Sequence, residues 1–143
     1  MSISNLIKKL TVNLGRLIVA VTFIFSGYVK AIDPLGTQYK ITDYLQPLGL
    51  SGLVPDWMTL TASVALSALE FSIGIFLLFA IRRRLTSKIL LLVMVVMTLI
   101  TTWIAIANPV KDCGCFGDAI KLTNFETLGK NIILLAISIL LWR

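Results

Sequence analysis

ILLLVMVVMTLITTWIAIA, residues 89–107, decides the fold. These 19 residues carry no charge, and at ~1.5 Å per residue a helix of that length crosses the ~30 Å hydrocarbon core of a bilayer. Working outward, Arg82-Arg83-Arg84 predicts a tight polar turn before the span, and Asn108-Pro109 predicts its end. Upstream of the arginines, a second helix is expected from about Asp56 to Ile81, introduced by Pro47, Gly49, Gly52 and Pro55. Within it Ser63, Ser67, Glu70 and Gly74 recur at four, three and four residues and share one face. Small residues mark a packed side, so Glu70, the one acid at membrane depth, should point into the bundle.

Downstream of Asn108-Pro109 comes Asp112-Cys113-Gly114-Cys115-Phe116-Gly117-Asp118, which holds both cysteines of the chain. Beyond it, Thr123-Asn124-Phe125-Glu126 fits the S/T-x-x-E capping box, opening a last helix that runs to Trp142. Its strictly apolar part begins at Ile132, and it reaches spanning length through Phe125 to Leu128, with Lys130 extending to the interface. The N-terminal helix is expected from about Leu6 to Ile32, with Gly15, Thr22 and Ser26 beside Arg16, Ala20 and Gly27 forming a small-residue side. No A-x-A-like site follows its apolar run, so it reads as an uncleaved span. Asp33-Pro34 reads as an N-cap followed by proline at the first helical position, opening a short helix over Leu35 to Leu45. Tyr39 and Tyr44 would hold it at the membrane surface; an ordinary ordered loop is the other reading of that segment.

The expected architecture is all-α: a single membrane domain over residues 1–143, an antiparallel bundle of four transmembrane helices with a short interfacial helix between the first two. The spans fall at about 10–31, 57–81, 87–107 and 125–142. A hydrophobic content of 57% and a mean hydropathy of +0.93 exceed the roughly 45–50% apolar content of soluble domains. The net charge of +6 does not point to nucleic acid once its distribution is followed. Lys8, Lys9, Arg16, Arg82, Arg83, Arg84, Lys88 and Arg143 gather at one set of span ends without an acid. The opposite ends mix lysines with Asp33, Asp43, Asp56, Asp112, Asp118 and Glu126. That asymmetry predicts both termini in the cytoplasm and the C-G-C loop outside it, in an inner membrane facing a compartment where disulfides persist.

Cys113 and Cys115 are the candidate catalytic pair. Gly114 between them allows closure, but the ring encloses a single residue, restrains little unfolded-chain entropy, and strains the bond towards reduction. Exchange suits such a bond better than support; inert thiols or a static bond shaping the loop are the alternatives. With no histidine in the chain, a zinc site would need ligands from elsewhere, and no metal is expected. Asp112 and Asp118 oppose a thiolate, and Lys111 favours one.

A second constellation is Glu70 with Arg16. Counted from the cytoplasmic side, Arg16 lies about 9 Å deep and Glu70 about 16 Å, a gap that an arginine side chain bridges. Such a pair is either a structural lock or a proton-handling or quinone-headgroup site. Tyr28, Lys30 and Asp33, where the first helix emerges, are either lining of a pocket shared with the loop or interface anchors.

Arg16, the run Phe25-Ser26-Gly27-Tyr28-Val29-Lys30, Ala68-Leu69-Glu70-Phe71 with Gly74, and Asn108-Pro109 leading into the C-G-C-F-G loop resemble the DoxX-like membrane proteins. The loop is most similar to the MauE-like, redox-associated branch. The resemblance implies a four-helix membrane bundle that forms or maintains disulfides in exported proteins beside a thioredoxin-like partner; DoxX relatives are linked to quinone-coupled sulfur oxidation. It implies the redox role for Cys113 and Cys115, while Arg16, Lys30 and Glu70 match family positions without an assigned role. Some relatives carry a fused thiol-redox domain that is not found here, so the partner is expected to be separate.

The expected function is therefore that of a bacterial inner-membrane thiol-disulfide oxidoreductase exchanging electrons with a thioredoxin-like or exported thiol protein. Two cysteines in one loop cannot pass electrons through a bilayer alone, which makes a membrane quinone the candidate carrier. The competing class is a non-enzymatic subunit that docks a partner within a larger membrane complex. Membrane lipid is a partner in either case.

Overall fold

The computed structural model describes residues 2–111, 114–116 and 119–143. Five helices follow in order: α1 (Ile3–Ile32), α2 (Pro34–Leu45), α3 (Asp56–Leu78), α4 (Arg83–Ala107) and α5 (Asn124–Trp142). All but α2 are long and apolar enough to cross a membrane, so the expected four-span, all-helical class is the one found. The helix α1 packs chiefly on α3, and α4 on α5; narrower α1–α5 and α3–α4 contacts close the bundle, and α2 lies mainly on α3. Val19, Ala20, Phe23, Ile73, Leu77, Leu90, Met94 and Leu134 meet in the core. Large side chains such as Leu92, Leu99 and Ile133 face outward, as lipid-facing positions do in a bilayer, where apolar exteriors are the favourable ones.

Local chemistry explains the helix ends. Asp33 Oδ1 accepts from Gly36 N at 2.9 Å, and Pro34 occupies the first turn of α2, as the Asp33-Pro34 step predicts. The helix α2 is pinned to α3 by Ser63 Oγ donating to Pro34 O at 2.7 Å and Gln38 Nε2 donating to Asp56 O at 3.1 Å. Thr123 and Glu126 form the expected reciprocal capping box on α5. Asn108, with φ of 47°, ends α4 in the left-handed region that asparagine tolerates.

Two boundaries and one turn differ from expectation: the turn expected over Arg82-Arg83-Arg84 falls at residues 79–82, and Arg83 and Arg84 already belong to α4. The first helix starts at Ile3 rather than near Leu6, because its basic first turns continue the helix beyond the apolar stretch. The helix α3 stops at Leu78 instead of Ile81. Ala80 adopts φ of 55°, and Ile81 N and Ala80 N donate back to Phe76 O and Leu77 O at 2.9 and 3.2 Å. That is a Schellman termination built on alanine where glycine is usual.

Candidate functional site

Glycine sets up the site by letting α1 and α3 approach. A Cβ on Gly27 would lie 2.6 Å from Phe71 N, and one on Gly74 would lie 2.7 Å from Ile24 N, so backbone faces backbone at two levels. Between and beside these contacts the buried face of α1 presents Ser26 and Lys30, one turn apart, to Glu70 on the buried face of α3. Lys30 Nζ donates to Glu70 Oε1 and Oε2, both at 2.8 Å, and to Ser26 Oγ at 3.1 Å. An ammonium has three protons, and here all three have an acceptor. The two side chains are only 5% and 8% exposed, so each charge relies on the other for stabilisation.

Ser26 joins this ion pair to the cysteine loop. Its Oγ lies 2.7 Å from Glu70 Oε2 and 2.8 Å from the carbonyl oxygen of Cys115. Cys115 is half-buried, and Phe116 is buried beside it. The Phe116 ring meets Phe25 edge-on at 5.6 Å, and the Lys130 ammonium sits 4.1 Å from its centroid. Gly114 has φ of 62°, and a Cβ there would lie 2.9 Å from the Lys40 side chain. Helices α1, α2 and α5 thus each bring a lysine to the loop. Beneath it, a cavity of about 40 Å³ is lined by Lys30, Glu70, Cys115 and Phe116, large enough for an ordered water.

The expected site residues separate as follows. Glu70 is buried on the expected face with Ser63, Ser67 and Gly74, but its partner is Lys30 and not Arg16. Arg16 lines a different cavity, with Asn13, Phe76, Ala80 and Arg83. It precedes Ser26 by ten residues on the same helix, a rise of about 15 Å. Lys30 does line a pocket with Cys115; Tyr28 is 57% exposed on the other side of α1, and Asp33 serves as the cap of α2. Lys130 turns to the Phe116 ring instead of extending to the interface. Cys113, Asp112 and Asp118 lie outside the described residues. Lys111 is exposed, and the lysines beside the loop are Lys30, Lys40 and Lys130. Ser26 was legible as a packing residue but not as the link between pair and loop; its i, i+4 spacing to Lys30 is the signal for that role.

A family model described as methylamine utilisation protein MauE matches residues 8–143. That region includes Ser26, Lys30, Glu70 and the whole C-G-C loop. No curated protein and no solved structure matches the chain significantly. The wider DoxX likeness rests on the residues quoted for it.

Proposed function

The chain belongs to the MauE family, and on that premise we propose that it is a thiol-disulfide oxidoreductase serving the redox maturation of an exported protein in methylamine utilisation. The reading places it in a bacterial inner membrane with both termini cytoplasmic, following the arginine-rich ends of the spans. Its partner is a separate dithiol protein, thioredoxin-like or itself the exported product. A partner thiolate attacks one sulfur of the Cys113–Cys115 bond and forms a mixed disulfide. The partner's second thiol then displaces that sulfur, so the partner leaves oxidised. The pair has taken up two electrons and, as two thiols, two protons. A bond closing a one-residue ring is strained, which raises its potential and favours this direction.

The observation that carries the proposal is the 2.8 Å approach of Ser26 Oγ to the Cys115 carbonyl, which shares the single hydroxyl proton with Glu70. It ties the second half of the motif to the buried ion pair. Lys30 is neutralised by Glu70, so the cations that favour a reactive thiolate are Lys40 beside Gly114 and Lys130 over the Phe116 ring.

The test is the state of the two cysteines in native membranes, read by acid quenching and mass-tag alkylation before and after addition of a reduced dithiol protein. The expected result is a population that shifts towards thiols, with single Cys→Ser variants trapping a mixed disulfide. A Cys113→Ser, Cys115→Ser variant that still assembles and retains full function would overturn the redox role in favour of a docking subunit.

A further inference from the structure

We infer that the cleft between α2 and α4 receives the ring of a lipid-soluble quinone, with Thr37 Oγ donating a hydrogen bond to one of its carbonyls. The inference rests on the exchange reading of Cys113 and Cys115, for which it supplies the electron acceptor.

The cleft has a volume of about 240 Å³ and is lined by Lys30, Thr37, Leu66, Ile100 and Cys115, among others. Although α2 and α4 both contribute walls, they do not contact each other among the described residues. The space is therefore a gap in the helical wall, and Ile100 on its margin is 40% exposed. A molecule dissolved in the bilayer can enter from the side. The volume falls just below the ~300–1,000 Å³ of sites that enclose a whole small molecule. It suits a ring headgroup whose tail remains in lipid.

The polar chemistry is sparse and specific. Thr37 is 5% exposed, and its Oγ has no hydrogen-bond partner among the described residues. Other helical threonines, including Thr22, Thr42, Thr98 and Thr102, turn their hydroxyls to the carbonyl four residues back. Thr37 does not, and a buried hydroxyl without an acceptor is destabilising. A carbonyl oxygen entering the cleft would satisfy it. Lys30 is already engaged by Glu70 and Ser26, and Lys40, the other cation on the lining, is not without a partner either, so the cleft does not centre on an uncompensated cation as a phosphate site would.

The redox balance selects a quinone over an inert lipid. When the two thiols of Cys113 and Cys115 close to a disulfide, two electrons and two protons leave. One quinone accepts both and becomes a quinol, and Cys115 borders the cleft in which it would sit.

The test uses the full chain in phosphatidylcholine nanodiscs, titrated with decylubiquinone and measured by equilibrium dialysis against empty discs. The expected result is saturable one-to-one binding above the empty-disc level. Thr37→Val should weaken it by about three- to tenfold, the factor associated with one hydrogen bond, while raising the apparent Tm of the ligand-free protein. Ile100→Trp should abolish binding by filling the margin of the cleft, and Ile133→Trp, on the exterior of α5, should not. Absence of saturable binding, or binding by the Thr37 and Ile100 variants equal to wild type, would overturn the assignment even if the cysteines exchange with protein dithiols. Binding with the expected variant pattern upholds it, and cysteines that then remain in one redox state would count against the exchange reading alone.

Discussion

Replacing Lys30 by methionine isolates the energetics of the buried pair. Methionine keeps the length and apolar stem of lysine but removes three donated hydrogen bonds, two to Glu70 and one to Ser26. Glu70, only 8% exposed at its side chain, is then left without a counter-charge. Removing one member of a buried pair typically costs about 3–5 kcal/mol, a large share of the ~5–15 kcal/mol that holds a domain folded. For a chain of this size each kcal/mol moves Tm by roughly 2–4 °C, so Lys30→Met should lower Tm by about 6–20 °C. Glu70→Leu should cost a similar amount, because it strands the ammonium. The double variant Lys30→Met, Glu70→Leu removes both desolvated charges together and should recover most of the loss, since apolar replacements of buried pairs are often neutral or stabilising. Thermal unfolding of the four proteins in one detergent, followed by intrinsic fluorescence at a fixed scan rate, gives the cycle. A double variant whose loss equals the sum of the single losses would refute a direct, low-dielectric pair between these residues.

Two further outcomes follow from single contacts. Ser26→Ala removes the hydroxyl that reaches the Cys115 carbonyl; in a Cys113→Ser background, maleimide should label Cys115 about three- to tenfold faster, the factor for one lost hydrogen bond, and unchanged labelling would deny the tie. Ala80→Gly relieves an L-residue at φ of 55° in the turn that ends α3, and should stabilise the protein by about 1 kcal/mol, seen as a rise in Tm of roughly 2–4 °C.

What could be read from the sequence was what is encoded locally. The uncharged run 89–107, the Asp33-Pro34 cap, the Asn108-Pro109 stop and the Thr123/Glu126 box each contain their own physical reason within a few residues, and each appears where expected. The inward face of Glu70 was legible too, because Ser63, Ser67 and Gly74 repeat along one side of a single helix. The partner of Glu70 was not. Depth counting along two helices brought Arg16 within reach but is blind to how α1 sits along α3, which the Gly27–Phe71 and Gly74–Ile24 contacts determine. Lys30 could be read either as lining of a pocket shared with the loop or as an interface anchor, because lysines near span ends usually extend outward, and nothing local pairs it with Glu70. A three-acceptor site built from two helices overrides that tendency. The same holds for Lys130, held over a ring 14 positions earlier in the chain, and for Thr37, whose unpartnered hydroxyl is visible only once its neighbours are known.

The hydrogen-bond count at Ser26 makes the ion pair and the cysteine loop one system. Its oxygen accepts from Lys30, and its single proton faces two acceptors at nearly equal distance, Glu70 Oε2 and the Cys115 carbonyl. Only one can hold it at a time. An ionised carboxylate is the stronger acceptor, so the charge on Glu70 governs how firmly Ser26 holds the loop. Lys30 stabilises that charge and thereby takes part in the same competition, although no hydrogen bond joins it to the cysteine. A perturbation of the pair should therefore alter Cys115 labelling as well as stability. A substitution elsewhere in the core, such as Leu90→Ala, should lower stability while leaving the labelling of the folded protein unchanged.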